Sequence, residues 1–290
     1  MQEIEPGIFV ESNYPPYNLG LIVTDHGSIV IDIPPRPSHA WAWQQQVEEV
    51  AGKPRYAVLT DASLERQVAA SLWNVPIIGG EALLRALIAY DERSWREMLQ
   101  AYVIQHPEEA DEVLQIKPHP PTLILDKHFL LHYRTPPLEF ESVAGGAPGS
   151  MWLTVPELGL IFAGDTIVVD EPALLERTPD SKAWLNTLSN LARRTTVRHI
   201  VPGRGKVPIQ QSDIEPQREF IRVMRRTART LAGNNNFRLI ECAQDLGQTF
   251  YNAQGQKAVR RIRMGLERLV AEIHQMKAAA DEEREGENSE

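Results

Sequence analysis

The alternation of short strand-like runs with helical segments constrains the fold of this chain most. β-branched runs occur in two blocks, each followed by helical periodicity, and turn signals such as Asp25-His26-Gly27 separate neighbouring runs. No GxGxxG segment follows the first run, which argues against a dinucleotide-binding sheet. Two β-rich halves with helices after each predict an α/β (α+β) protein in which paired sheets pack between outer helices, a four-layered αββα sandwich.

The same pattern divides the 290 residues into regions. Residues 1–207 hold both strand blocks, with a helical insertion at about 80–119, and residues 208–278 are purely helical in pattern. Within the insertion, apolar residues recur at helical spacing from Glu81 to Gln105 without glycine or proline, which predicts one long helix and makes a homodimer or other homo-oligomer an expectation. Residues 279–290 contain six acidic residues and one arginine but no large apolar residue, and we expect them to form a disordered tail.

Composition narrows the classes of function. The net charge of −9 and the 42% of hydrophobic residues are typical of a globular protein. The single cysteine, Cys242, excludes an internal disulfide and any zinc site that needs two cysteines. No stretch approaches the ~20 apolar residues that cross a bilayer, and the N-terminal residues do not resemble a signal peptide. We therefore expect a cytoplasmic protein with no membrane partner.

The acidic balance also argues against nucleic acid as the main partner. Residues 215–277 are the exception, with 12 Lys and Arg against 6 Asp and Glu, and basic helices can follow a phosphate backbone. Aromatic residues that could stack on bases are few in this region. A solvated or internally paired basic face is therefore favoured over nucleic-acid binding.

Four segments of the first 207 residues carry recognisable motifs in a fixed order. The most telling is 145–168, where a Gly-Gly-Ala-Pro-Gly-Ser turn precedes a predicted hairpin that ends in Gly-Asp. Residues 20–35 form a predicted hairpin ending at Asp32, 57–72 read AVLTDASLERQVAASL, and 200–207 read IVPGRGKV. Together they resemble the metallo-β-lactamase superfamily, with its opening hairpin, Thr-His-x-His-x-Asp-His segment, His-Thr-Pro-Gly-Ser turn and late Pro-Gly-His-Gly turn. The resemblance places Asp32 at the aspartate of the opening-hairpin motif. The resemblance implies an αββα hydrolase fold with a metal site.

The resemblance also implies metal-binding histidines, and this chain lacks all of them. The final histidine is replaced by arginine, the histidine before the Pro-Gly-Ser turn by glycine, and the bridging aspartate remains. The corresponding positions are, in chain order, Asp61, Ser63, Glu65, Arg66, Gly146, Asp165 and Arg204. Of these, only the three carboxylates could ligate a metal, because serine is a poor ligand and arginine offers no lone pair.

The substitutions favour an arginine-for-metal exchange. Arg66 and Arg204 are permanent cations that would repel a dication in a partly enclosed cleft. Carboxylates without a metal would raise each other's pKa values unless cations balanced them. We hypothesise that Arg66 and Arg204 replace the metal's charge through ion pairs with Glu65 and Asp165.

The favoured interpretation is a pseudoenzyme: a hydrolase-like fold with a degenerate metal site, no cofactor and no catalytic residues, acting by ligand binding or protein interaction. The cleft is then vestigial, or its arginines grip the carboxylate or phosphate of a small anionic ligand. One alternative is a metal-dependent hydrolase with a carboxylate site of Asp61, Glu65 and Asp165. A second is a nucleic-acid-associated protein that uses the Arg-rich C-terminal helices. The sequence identifies neither ligand nor substrate.

Overall fold

The computed structural model describes residues 1–104, 107–233, 238–252 and 256–287. The described strands form two sheets. Sheet one is antiparallel from β1 to β4 and parallel from β4 to β7. Its strands, in both chain and spatial order, are β1 Gln2–Glu5, β2 Ile8–Glu11, β3 Leu19–Thr24, β4 Gly27–Ile31, β5 Tyr56–Val58, β6 Ile77–Gly80 and β7 Leu123–Leu125.

Sheet two has the spatial order β12-β11-β10-β9-β8. Its neighbouring strands are antiparallel, except that β11 and β12 run parallel to each other. Its strands are β8 His128–Leu131, β9 Leu138–Ser142, β10 Met151–Val155, β11 Leu160–Val168 and β12 His199–Arg204. The two predicted strand blocks become the two sheets with one exception: the strand predicted at 122–125, at the start of the second block, is β7 of sheet one. The late strand, β12, is added beside β11.

Helices cover the outer face of each sheet. On sheet one they are α1 Pro37–Ala51, α2 Leu64–Ala70, α3 Glu81–Ile88, α4 Glu92–Val103 and α5 Ala110–Val113. On sheet two they are α6 Ser181–Leu191, α7 Glu215–Gly233, α8 Leu239–Tyr251 and α9 Gln256–Glu287. A third apolar cluster fills the space between the sheets. The predicted four-layered αββα sandwich is confirmed.

Strand periodicity assigns each side chain to a layer. In β4, Ile29 and Ile31 point into the cluster between the sheets, whereas Val30 packs with the helices outside sheet one. In β11, Phe162 lies between the sheets and Ile161 packs against the outer helices of sheet two. Successive strand residues face opposite sides, so each of these strands supplies two apolar layers at once.

The prediction of one helix from Glu81 to Gln105 is wrong for the residues that are described. The segment forms α3 and α4, separated at Ala89–Asp91, and Gln105 lies outside the described residues. Asp91 caps α4 by accepting a hydrogen bond from the Ser94 amide at 2.7 Å, while the Asp91 amide donates to Ser94 Oγ at 3.0 Å. This capping box stops one helix and starts another.

The C-terminal helices follow the helical pattern predicted for 208–278, with one difference at the end of the chain. Residues 234–237 and 253–255 lie outside the described residues. The backbone of 279–287 continues α9 where a disordered tail was predicted, and 288–290 lie outside the described residues. Ala, Glu and Arg at 278–287 have high helix propensity, which favours this continuation. No helix in the described part of the chain is long and apolar enough to cross a membrane.

Candidate functional site

The sequence-predicted site residues meet where the two sheets face each other. Asp61 follows β5 of sheet one, Ser63 and Arg66 lie at the start of α2, and Asp165 and Arg204 belong to β11 and β12 of sheet two. Six of the seven positions line one small cavity, and the seventh, Arg66, bonds to its residues. The structure therefore brings the whole predicted set together.

Arg66 is the centre of the site. Its side chain is only 2% exposed, and its guanidinium contacts three carboxylates. Nε and Nη2 donate to the two oxygens of Asp32 at 3.2 and 2.8 Å, and Nη1 donates to Asp165 Oδ2 at 3.0 Å. Asp61 Oδ2 lies 3.5 Å from Nε. One buried cation thus connects carboxylates from both sheets.

Arg204 binds Asp165 from the other side. Its Nε and Nη2 donate to the two carboxylate oxygens of Asp165, each at 3.0 Å, which is the two-bond geometry that arginine makes with carboxylates. The ring of Tyr17 lies 4.8 Å from Cζ of Arg204 and 5.4 Å from Cζ of Arg66, so it faces both guanidiniums. We call Asp32, Asp61, Arg66, Asp165 and Arg204 the arginine–carboxylate cluster.

The backbone approaches this cluster closely at one glycine. A Cβ placed on Gly203 would lie 2.4 Å from Asp165 Oδ1. Replacing Gly203, which lies just before Arg204, with any other residue would therefore displace the Asp165 carboxylate. Asn18 fixes the same turn, because its Nδ2 donates to the carbonyl oxygens of Pro202 and Gly205, both at 3.0 Å.

The hypothesised ion pairs are correct for Asp165 and wrong for Glu65. Both arginines bind Asp165, but Glu65 pairs with Arg177, whose Nη1 lies 2.6 Å from Glu65 Oε2. Glu65 and Arg66 are neighbours on α2 and project about 100° apart, so they reach different partners. Arg66 pairs with Asp32 instead of Glu65.

The pKa values of the carboxyls shift in different directions. Mutual repulsion alone would raise all of them. Burial raises the pKa of Asp61 to about 6, against the lowering effect of Arg66. Burial also acts to raise the pKa of Asp165, but Arg204 and Arg66 outweigh it and hold that pKa well below its ordinary value. Glu65 behaves like Asp165, since the cation Arg177 outweighs burial and lowers its pKa.

Three residues of the site were missed as functional candidates from the sequence. The sequence placed Asp32 in the opening hairpin but not in the site. In the structure Asp32 binds Arg66 and also accepts hydrogen bonds from the Thr60 amide and hydroxyl at 3.0 and 2.8 Å. Its motif position was the signal that could have found it. Tyr17 and Arg177 carry no such signal, because their contacts with the site depend on the fold.

The residues present do not fit the metal centre that the fold family implies. The Arg66 guanidinium lies among the carboxylates that would have to ligate the ion, and its positive charge opposes a dication there. A Cβ on Gly146 would lie 3.2 Å from Trp184 and 3.4 Å from two backbone oxygens, so a histidine there requires Trp184 to move. Within the described ranges, no group of three or more His, Cys, Asp or Glu side chains is arranged to hold a metal.

The cavity beside the cluster is small. Its volume is about 60 Å³, whereas sites for drug-sized ligands have about 300–1,000 Å³. Among its lining residues, Ser63 Oγ and Glu176 Oε2 are buried without a hydrogen-bond partner in the described part of the chain. Burial raises the pKa of Glu176. The cavity has room for water or a small ion.

Comparison with known structures identifies the fold. The chain is similar to the stereoselective inverting sec-alkylsulfatase Pisa1 from Pseudomonas sp. (TM-score 0.63, 15% identity, 92% of this chain and 49% of that one). It is also similar to the metallo-β-lactamases DIM-1 (TM-score 0.58, 12% identity, 77% of this chain and 95% of that one) and FIM-1 from Pseudomonas aeruginosa, solved in its mono-zinc form (0.56, 16%, 77% and 94%). The chain spans about half the length of the sulfatase.

The protein has the metallo-β-lactamase fold. No model of a protein family matches the sequence, and no curated protein matches it either. At 12–16% identity the likeness to these structures concerns the fold and leaves function to the residues of the site.

Proposed function

We propose that this protein is a pseudoenzyme of the metallo-β-lactamase fold, in which a buried arginine–carboxylate cluster takes the place of the metal centre. It acts by ligand binding or protein interaction and does not hydrolyse substrates with zinc. The observation that carries the proposal is the position of Arg66, which donates to Asp32 and Asp165 and lies beside Asp61.

Charge balance supports a structural role for the cluster. Three carboxylates and two guanidiniums leave one net negative charge, which protonation of Asp61 would remove. Every member is at most 6% exposed, so the charges are largely removed from solvent. Buried charges are retained in proteins when they are paired and hydrogen-bonded, as these are.

The same contacts weigh against the reading in which the two arginines grip an anionic ligand. Arg66 and Arg204 already donate to fixed carboxylates, and a ligand would have to compete with Asp165 for both. The adjoining cavity of about 60 Å³ limits such a ligand to the size of a small ion. The cluster is therefore better suited to holding the sheets together than to binding a metabolite.

The two alternatives also receive little support. For a carboxylate-based metal hydrolase, Glu65 is paired with Arg177, and both Asp61 and Asp165 face Arg66. For a nucleic-acid-associated protein, several C-terminal arginines are already paired with carboxylates of this chain. These pairs are Arg218–Glu215, Arg222–Glu219, Arg225–Glu272 and Arg261–Glu171. A cytoplasmic location and a homo-oligomeric state stay predictions.

Metal analysis of the purified full-length protein tests the proposal. After expression with added zinc and removal of unbound ions, we expect a metal content far below one ion per chain, and an unfolding temperature that a chelator does not change. Hydrolysis of a β-lactam and of an alkyl sulfate, the substrate classes that the neighbours' names indicate, is expected to equal the buffer rate. Near-stoichiometric zinc, iron or manganese with hydrolysis that the chelator abolishes would overturn it.

A further inference from the structure

A second, larger cavity lies among the C-terminal helices. It has a volume of about 480 Å³, lies between the start of α6 and the facing sides of α7 and α9, and shares no lining residue with the arginine–carboxylate cluster. This volume falls within the range of about 300–1,000 Å³ found for small-molecule sites. We call it the α7–α9 pocket and define it by Arg225, Arg229, Leu269, Ile273, Met276 and Lys277.

One wall of the α7–α9 pocket is apolar. Leu269, Ile273 and Met276 are spaced at i, i+4 and i+7 on α9, which places them on one face of the helix. Leu269 is buried at the bottom of this face, whereas Met276 is 59% exposed. The wall therefore extends from the core to the surface, and its outer part is accessible to a ligand.

The opposite side of the pocket is cationic. Arg225 and Arg229 lie one turn apart on α7, so their side chains project from the same face, and Lys277 adds a third positive charge from α9. Glu272 also lines the pocket, and its carboxylate, which is 11% exposed, pairs with Arg225 at 3.2 Å and offsets one of the three positive charges. Arg229 and Lys277 form no ion pair with any side chain that the structure describes.

Arg225 has donors to spare. Its side chain is 13% exposed, and Nη1 donates to Glu272 Oε1 and to Ser181 Oγ. Nε and Nη2 make no hydrogen bond to the described residues and are not among the buried unsatisfied atoms, so they are open to solvent or to a ligand. An acceptor supplied by a ligand would complete the hydrogen bonds of this side chain.

We propose that the α7–α9 pocket binds a small carboxylate with an aliphatic tail. The carboxylate accepts hydrogen bonds from Arg225 and Arg229, whose planar guanidiniums match its geometry, and the tail packs on Ile273 and Met276. A neutral apolar molecule would form no hydrogen bond or ion pair with the two arginines, and an aliphatic cation would be repelled by them. This inference is independent of the function proposed for the cluster, because the two sites share no residue.

Calorimetric titration of the full-length protein with octanoate tests the inference. We expect saturable binding of one octanoate per chain, and no saturable binding of octylammonium, which has the same tail and the opposite charge. Arg229→Gln removes an exposed guanidinium and is expected to weaken octanoate binding at least about tenfold. Ile273→Ser is expected to weaken it as well through the lost tail contact.

Arg226→Gln is the matched control, because Arg226 is an exposed arginine on the same helix that does not line the pocket. It should leave the octanoate affinity unchanged, and thermal unfolding should show all variants folded. The inference is wrong if octanoate does not saturate, if octylammonium binds equally well, or if Arg226→Gln weakens binding as much as Arg229→Gln. The last result would indicate attraction to the basic surface as a whole.

Discussion

At the scale of single residues, the proposed replacement of a metal centre depends on Arg66, the buried cation that contacts three carboxylates. A guanidinium is a singly charged planar donor, so it needs fewer carboxylates than a dication and binds them through hydrogen bonds in fixed directions. Asp165, which the resemblance implies as a metal-bridging aspartate, here bridges the two arginines instead.

Removing the central cation should destabilise the fold more than removing the outer one. Arg66→Met leaves Asp32 and Asp61 buried without a cation, and we expect it to lower the free energy of unfolding by about 3–5 kcal/mol. Arg204→Met should cost less, because Asp165 still accepts from Arg66. Urea unfolding measures both losses, with exposed Arg226→Met as the control. Equal losses for the two variants would contradict the central role of Arg66.

Asp61 should make stability fall as pH rises between about 4 and 6. Its folded pKa of about 6 exceeds the ordinary value of about 3.9, so the stabilisation is complete below pH 4 and is lost as pH rises through 6. The loss is on the order of 3 kcal/mol. In Asp61→Asn this part of the pH dependence should disappear from urea unfolding measured between pH 4 and 7. Asp165 acts in the opposite direction and at lower pH, because its folded pKa is depressed.

Exposed Asp25→Asn provides the control for this pH dependence. It should follow the wild-type curve, since the side chain lies at a surface turn. The Asp61 variant also tests the cluster as a unit: Arg66→Met should cost less in the Asp61→Asn background than in the wild type, because one fewer buried carboxylate loses its cation. Additive losses would mean that the two residues do not interact.

At the scale of elements, the capping box at Asp91 divides the apolar pattern of the helical insertion between two helices, α3 and α4. Trp95 and Leu99 of α4 are buried in the same apolar cluster as Leu83 and Leu87 of α3, so the stripe packs into the core of its own chain. The prediction of a homodimer from this stripe therefore loses its original support and stays a prediction. The break at Asp91 lets the second helix change direction while keeping its apolar face on the core.

Asp91→Ala should destabilise α4 without affecting the cluster. The change removes the side chain that accepts from the Ser94 amide, and loss of such a cap costs about 0.5–2 kcal/mol. Chemical denaturation gives the size of this loss, and exposed Glu97→Ala on the same helix is the comparison. A loss no larger than that of the comparison would mean that Asp91 does not determine where α4 begins.

At the scale of the whole molecule, the C-terminal helices belong to the core of sheet two. Phe220 of α7 is fully buried, with ring centroids 5.4 Å from Phe250 and 5.2 Å from Tyr251, and it shares an apolar cluster with Ile161 of β11 and Trp184 of α6. The region predicted as a separate helical segment from 208 therefore packs against the sandwich and extends its outer layer.

Phe220→Ala should destabilise the molecule as a unit. We expect a loss of about 3–5 kcal/mol and one unfolding transition at which helical circular dichroism and tryptophan fluorescence change together. The truncation of an exposed side chain, Ile240→Ala, should change stability little, since Ile240 is 57% exposed. Two separate transitions, with circular dichroism lost first, would mean that the C-terminal helices unfold independently.

The sequence determined the layers, the order of the motifs and most of the cluster. Strand and helix periodicity in residues such as Ile29 to Ile31 fixes which side of a sheet is apolar, and this requires no knowledge of distant partners. The sequence also predicted that Arg66 and Arg204 would lie in one site, because the resemblance assigned both residues to motif positions that meet in the fold.

Only the tertiary structure decided which charges pair. The sequence neighbours Glu65 and Arg66 pair with different residues. Asp32 and Tyr17 belong to segments far from Arg66 in the sequence, and only the fold brings them into contact with it. Asp61 and Asp165 are both buried, but two guanidiniums donate hydrogen bonds to Asp165 and only one lies near Asp61, so their pKa values shift in opposite directions. Ion pairing and desolvation depend on three-dimensional contacts of a few ångströms, whereas periodicity and motif order are properties of the chain itself.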